Sequence, residues 1–298
     1  MVSKEMEKLI IQLKKNKGDN YKPSVNGYRE SFDQLAKLIK IPKDARCEPI
    51  NVEGIPAEWI SVPETLNNSV ILYFHGGGYV AGSINSHRGL GVRLARTSKS
   101  RVILIDYRLA PEYPFPAALE DAVKVYQWLI FSEGIKPEKV IIAGESAGGG
   151  LTISTLLKLK KEKFNLPAAG ICLSPYIDLA VTGESVNIKA DIDPQVTKED
   201  LLFCASQYLG DENPKNPYAS PLYADLQGLP PIFIQVGSSE VLLDDSIRLA
   251  DHAKSSSIEV SLEIWDDMIH MFQLYAYRIP EGQEAINKIG MFIQRILK

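Results

Sequence analysis

Two glycine-framed clusters carry the residues of this chain best suited to chemistry. Gly144-Glu145-Ser146-Ala147-Gly148 follows the apolar run Val140-Ile141-Ile142-Ala143 and precedes a helical stretch from Ala147 to about Lys161. Strand, tight turn and helix in that order present a serine hydroxyl as a nucleophile, and the positions two before and two after it must lack bulk where strand and helix crowd together. His75-Gly76-Gly77-Gly78 follows the run Val70–Phe74 and offers backbone N–H groups that can hold a developing oxyanion. Together the two clusters read as acyl-transfer machinery.

A serine nucleophile needs a base and an acid, expected in the order acid then histidine on loops leaving later strands. Of the four histidines, His87 and His252 fall in helix candidates and read as surface or packing residues. His75 lies too close to the glycine loop to act as base and is expected to hold that loop in shape by hydrogen bonding. His270 remains as the general base, in the loop Asp266-Asp267-Met268-Ile269-His270 after an alternating strand candidate at Ile258–Trp265. The acid belongs to the loop that follows Pro231–Val236. Glu240 sits just past that strand, whereas Asp244 and Asp245 fall about one helical turn later and suit a helix N-terminus. Glu240 is therefore the expected acid, with Asp244 the alternative. Tyr79, beside the glycine loop, either lines the acyl pocket or packs as a core aromatic.

These loops require a sheet to position them. Strand candidates at Cys47–Val52, Ala57–Val62, Val70–Phe74, Val102–Tyr107, Val140–Ala143, Ala169–Ser174, Ile232–Val236 and Ile258–Trp265 alternate for the most part with helices. The pattern predicts an α/β fold with a mostly parallel sheet covered on both faces and its active loops at one edge. Two helical patterns precede the strands. Met6, Leu9, Ile10 and Leu13 share one helical face, and Tyr28, Phe32, Leu35, Leu38 and Ile39 lie in the second. From about 178 to 231 no buried strand is expected, helix signals surround Thr197–Leu209, and prolines recur. The whole of 1–298 reads as one catalytic domain, with a cap formed by about 1–45 and about 178–220.

Composition narrows the function. With 33 basic and 37 acidic residues the formal net charge is −4, and no basic stripe interleaved with aromatics offers a nucleic-acid surface. No apolar stretch approaches the roughly 20 residues that span a bilayer. Cys47, Cys172 and Cys204 show no metal-ligand spacing and are expected to be reduced and buried, in a cytoplasmic protein. No cofactor fingerprint is present, and neither a cofactor nor a metal is expected.

The chain resembles the hormone-sensitive-lipase-like (bacterial family IV) carboxylesterases of the α/β-hydrolase fold. The likeness rests on His75-Gly76-Gly77-Gly78-Tyr79, Asp106-Tyr107-Arg108-Leu109-Ala110-Pro111-Glu112, Phe115-Pro116-Ala117 and the serine turn. It continues through Ser174-Pro175-Tyr176-Ile177-Asp178, Ser220-Pro221-Leu222, Leu229-Pro230-Pro231 and Met268-Ile269-His270. The resemblance implies a serine hydrolase with Ser146 as nucleophile, His270 as base and the acid on the Glu240 loop. It also implies oxyanion donors at the Gly77, Gly78 and Ala147 amides, a cap over the site, and a homodimer through an edge strand. Two positions depart from the family pattern: Glu145 stands where aspartate is usual, and Glu240-Val241-Leu242 replaces Asp-Pro-Leu. The expected reaction is hydrolysis of a small-molecule ester with a short-to-medium acyl chain. Lactones, carbamates and amides are alternatives for the same residues. Hormone receptors that share the fold replace the histidine, which this chain keeps.

Overall fold

A computed structural model describes residues 2–17, 22–66 and 68–298. Its strands are β1 (Arg46–Val52), β2 (Ile55–Ser61), β3 (Val70–Phe74), β4 (Arg101–Ile105), β5 (Val140–Glu145), β6 (Ala169–Leu173), β7 (Ile232–Gly237) and β8 (Val260–Trp265). The helices are α1 (Lys4–Lys17), α2 (Val25–Leu38), α3 (Ile84–Ser98), α4 (Ala117–Phe131), α5 (Ala147–Lys161), α6 (Ser185–Ile188), α7 (Lys198–Leu209), α8 (Leu243–Ser255) and α9 (Pro280–Ile296). Among the described residues the strands form a single sheet in the order β1-β2-β4-β3-β5-β6-β7-β8. The pairs β1–β2 and β2–β4 are antiparallel and the rest are parallel. This is the expected α/β architecture.

Successive side chains of the central strands enter different layers. Val70, Leu72, Phe74, Val140 and Ile142 join a core completed by α4, α5 and α8, while Ile71, Tyr73, Ile141 and Ala143 join one completed by α3 and α9. A strand covered on both faces has no position that favours a polar residue, so its sequence is an unbroken apolar run. The chain leaves β3 for β4 on one side and then crosses to β5 on the other. The reversal opens a crevice at the carboxyl ends of β3 and β5, where ligands bind in open α/β sheets. The register pairs Phe74 with Gly144, so the loops beginning at His75 and Glu145 start side by side.

The segments outside this alternation pack on loops at the same end. Met6 and Leu9 of α1 are buried against Met268, Ile269, Phe272, Ile279 and Ala285, and Ser3 donates to Glu281 from its backbone N–H (2.7 Å) and hydroxyl (3.0 Å). Helix α2 begins at Ser24, whose hydroxyl accepts from the Gly27 N–H, and α7 begins with a reciprocal cap between Thr197 and Asp200. Between 178 and 231 only helices and turns occur among the described residues, in agreement with the sequence pattern. Of the expected cap range, residues 1 and 18–21 lie outside the described residues.

Three expectations need adjustment. Strand β4 stops at Ile105 because the Asp106 carboxylate accepts the Ile84 N–H (2.7 Å) and the Tyr107 hydroxyl turns to the His75 carbonyl (2.6 Å). Strand β8 starts at Val260 and lacks a clean inside–outside alternation, since Ile264 is exposed on this edge strand. Cys172 and Cys204 are buried free thiols, but Cys47 lies on the edge strand β1 and is only half-buried.

Candidate active site

Ser146 occupies the turn between β5 and α5 at φ 52° and ψ −119°, a conformation that costs an L-residue energy and persists only where the surroundings impose it. The surroundings are visible as hydrogen bonds: the Ser146 N–H donates to Leu173 (2.8 Å), and its carbonyl accepts from Gly150 (3.1 Å) and Tyr176 (2.9 Å). A Cβ at Gly144 would lie 2.3 Å from the Gly148 carbonyl oxygen, and one at Gly148 would lie 2.0 Å from that of Phe74. The two framing glycines are thus required by close backbone approach. No side chain caps α5, so the amides of its first turn remain open to an anion, at the positive end of the helix dipole.

His270 and Glu240 complete a chain of contacts. His270 Nε2 lies 3.0 Å from Ser146 Oγ, and His270 Nδ1 lies 2.7 Å from Glu240 Oε2. An ionised carboxylate only accepts, so Nδ1 carries the proton and Nε2 is left to accept from the serine hydroxyl. Glu240 is fully buried, His270 is 2 % exposed and Ser146 7 %. The other Glu240 oxygen accepts from the Ser174 hydroxyl (2.8 Å) and the Gly237 N–H (2.6 Å), which fixes the carboxylate plane. Burial alone lowers the His270 pKa, but the hydrogen bond and charge of Glu240, with the charges of Asp193 and Glu145 beyond it, hold it above the ordinary value of 6.5.

The alternative acid is elsewhere. Asp244 accepts the Ser185 N–H (2.8 Å), and Asp245 accepts the N–H groups of Ile177 (2.9 Å) and Asp178 (3.1 Å), so both carboxylates tie α8 to the 177–185 segment. Burial pushes the Asp245 carboxyl up to about 7, offset in part by the Ile177 N–H and Arg248.

The glycine loop turns over Ser146 with φ values of 115° at Gly77 and 63° at Gly78, both in the region that favours glycine. A Cβ at Gly78 would fall 2.4 Å from Cys204 Sγ of α7, so that helix packs directly on the loop. His75 is buried, with its Nδ1 2.8 Å from the Gly76 carbonyl and its ring stacked on Tyr107 at 4.2 Å. Burial, with His87 close by, lowers its pKa to about 3, so it stays neutral and its Nδ1–H can donate to the loop. Tyr79 is buried with its ring stacked on Tyr208 of α7 at 3.7 Å. Its environment is that of a core aromatic between the loop and α7.

Several residues around the site escaped sequence reasoning. Ser174 holds Glu240 and also accepts the Met271 N–H (3.3 Å); the sequence marks it as the start of a resemblance motif at the end of an apolar strand but gives it no such role. Asp193 accepts the Val241 N–H (2.9 Å) from the 178–220 segment, and no local pattern marks it. Arg29 of α2 donates to the Val80 carbonyl (3.0 Å) and the Ala110 carbonyl (3.3 Å) and pairs with Glu112. His87, read as a surface or packing residue, is fully buried on α3. Among the described residues no cluster of His, Cys, Asp and Glu could hold a metal ion, and no helix is long and apolar enough to cross a membrane.

Comparison with known proteins identifies the fold and the family. The sequence profile of the α/β hydrolase fold family matches residues 71–274. An acetyl-hydrolase of Streptomyces hygroscopicus is 37% identical over 297 residues, covering 99% of this chain and 97% of that protein. An esterase of Acinetobacter venetianus is 37% identical over 268 residues, covering 90% of this chain and 88% of that protein. Among solved structures, an esterase of the bacterial hormone-sensitive lipase family superposes with a TM-score of 0.96 at 43% identity, covering both chains in full. The esterase EstE5, soaked with p-nitrophenyl butyrate, gives a TM-score of 0.95 at 40% identity and 99% coverage of each chain. With its fold, strand order and sequence in agreement over almost the whole length, the chain belongs to the α/β-hydrolase fold family, in the group related to hormone-sensitive lipase.

Proposed function

We propose that this protein is a serine carboxylesterase that hydrolyses carboxylic esters of short-to-medium acyl chain through an acyl-enzyme intermediate. The observation that carries the reading is the relay Ser146 Oγ, His270 Nε2 and Nδ1, Glu240 Oε2, with contacts of 3.0 and 2.7 Å beside the glycine loop. His270 takes the hydroxyl proton as Ser146 attacks the ester carbonyl, and Glu240 stabilises the imidazolium and keeps its tautomer. The Gly77, Gly78 and Ala147 amides receive the oxyanion; one such donor is worth about 3 kcal/mol in the transition state. The alcohol leaves with the proton from His270, and water repeats the route on the acyl-enzyme.

The segments 1–45 and 178–220 act as a cap on one catalytic domain, an assignment supported by the contacts of α1, α2 and α7 with the histidine and glycine loops. Tyr79 backs the wall of the acyl pocket through its stack on Tyr208. Free thiols at Cys47, Cys172 and Cys204 favour a reducing cytoplasm, and the unpaired side of β8 offers an edge for a second copy.

The test is hydrolysis of p-nitrophenyl esters from acetate to palmitate by the native protein and by Ser146→Ala. Turnover that peaks at short chains and is lost in the variant is the expected outcome. A folded native protein without turnover on any ester would sink the reading and favour amides, lactones or binding without catalysis.

A further inference from the structure

The glycine loop has no side chains between His75 and Tyr79 with which to fix its own distance from the nucleophile. Its backbone is held from outside at several points. The Tyr107 hydroxyl donates to the His75 carbonyl (2.6 Å), His75 Nδ1 meets the Gly76 carbonyl (2.8 Å), and Arg29 donates to the Val80 carbonyl (3.0 Å). One further tie comes from Glu145, the residue next to the nucleophile. Its carboxylate leaves the end of β5, crosses to β3, and accepts the Gly76 N–H on Oε1 and the Tyr73 hydroxyl on Oε2. Burial, reinforced by Glu145, holds the Tyr73 phenol well above its ordinary pKa, so it remains a donor. His87 Nε2 also lies 2.6 Å from Oε1 but is not aligned for a hydrogen bond, while His87 Nδ1 is held by the Ser83 carbonyl (3.1 Å) and the Ser86 hydroxyl (2.9 Å) of the α3 N-terminus.

Glu145 is buried, and a buried carboxylate is tolerated only where donors converge on it. Two do, and each has a different origin: the Tyr73 hydroxyl of strand β3 and the Gly76 N–H of the glycine loop. The loop's first glycine is therefore bound to the side chain adjacent to Ser146, across the carboxyl ends of the paired strands β3 and β5.

We propose that Glu145 is a positioning residue for ester hydrolysis: through the Gly76 N–H it sets the distance between Ser146 and the Gly77 and Gly78 amides, with Tyr73 holding its carboxylate in place. The side chain must span from strand to loop, so its length is what matters. Aspartate is shorter by one carbon–carbon bond, about 1.5 Å, and from the same Cα cannot meet both donors. Glutamine keeps the length and an oxygen for Gly76, and its amide group can face the Tyr73 hydroxyl, which accepts as well as donates.

The inference rests on the ester-hydrolase reading, and a single experiment separates the two. Native protein, Glu145→Gln, Glu145→Asp and Glu145→Ala are compared for kcat and KM on p-nitrophenyl butyrate, with thermal unfolding as the check on folding. Inhibition by an alkyl trifluoromethyl ketone, whose adduct with serine carries an oxyanion, is measured in parallel. Loss of a whole oxyanion donor costs about 100- to 1,000-fold in kcat, so a loop held at the wrong distance should cost on the order of 10- to 100-fold. The expected kcat order is native, then glutamine, then aspartate, then alanine. KM should stay within about threefold, and the inhibitor constant should rise in step with the fall in kcat.

A role for the negative charge alone would reverse the order and place aspartate above glutamine, which overturns the proposal. So does native kcat in the folded alanine or aspartate variant. Should the alanine variant fail to fold, the glutamine and aspartate pair still decides the order. Absence of turnover in the native protein would instead overturn the esterase reading.

Discussion

His270 is pulled in two directions, and the balance has a measurable sign. Burial favours the neutral ring, while the Glu240 hydrogen bond and charge favour the imidazolium and win, so the pKa lies above 6.5. A general base works only when neutral. Turnover should therefore rise with pH through this pKa, and the acid limb of kcat/KM should have its midpoint above 6.5. Glu240→Gln removes the contribution that raises the pKa and leaves burial, which lowers it. Its acid limb should move to lower pH while kcat falls by about 100- to 10,000-fold. A native midpoint below 6.5 in the kcat/KM profile would contradict the balance described here.

Among the elements, α2 shows how unequal contacts should be weighed. Arg29 makes a short ion pair with Glu112 (2.6 Å), but the pair is largely open to solvent, and exposed pairs contribute little. Its two bonds to the Val80 and Ala110 carbonyls are longer, yet they join α2 to the glycine loop and the loop after β4. Arg29→Ala should therefore loosen α2, visible as faster limited proteolysis within 22–45, and lower kcat about three- to tenfold through the loop. Glu112→Ala should change both by less than twofold or so. Equal effects from the two substitutions would place the work of Arg29 in the ion pair instead.

The same elements explain what could be read in advance. Strands β3 and β5 were legible because cover on both faces makes them continuous apolar runs, and α5 because it follows the serine turn at once. The sequence pointed to Ser146, His270 and Glu240 by type and order, and the structure brings them within hydrogen-bond distance. The end of β5 was less clear: glycine and glutamate look like turn residues, yet Gly144 and Glu145 continue the ladder opposite Cys172 and Leu173. Ser174, Asp193 and Arg29 were illegible because their contacts join residues 97, 48 and 51 positions apart. Such contacts depend on the register of the finished sheet, and neither periodicity nor composition encodes it.

At the scale of the molecule, stability and chemistry are separable by location. Leu72 lies at the middle of β3, fully buried between β4 and β5, and its side chain enters the layer shared with α4 and α5 rather than the loop edge. Leu72→Ala should destabilise the fold by about 2–5 kcal/mol, read as a lower urea midpoint, while KM and kcat at 25 °C stay near native. A cost under about 1 kcal/mol would mean that this layer collapses around the missing atoms.

The clasp of α1 imposes a timetable on the newly made chain. Met6 and Leu9 leave the ribosome long before the residues that cover them, Met268 through Ala285. At roughly 5–20 residues per second the wait is roughly 15–55 s. For that interval the apolar face of α1 has no native cover, and in a crowded cell it is a natural target for a chaperone. The loop carrying His270 likewise meets its support from α1 only after residues 268–285 have emerged, so the growing chain is shielded from its own nucleophile until His270 is made.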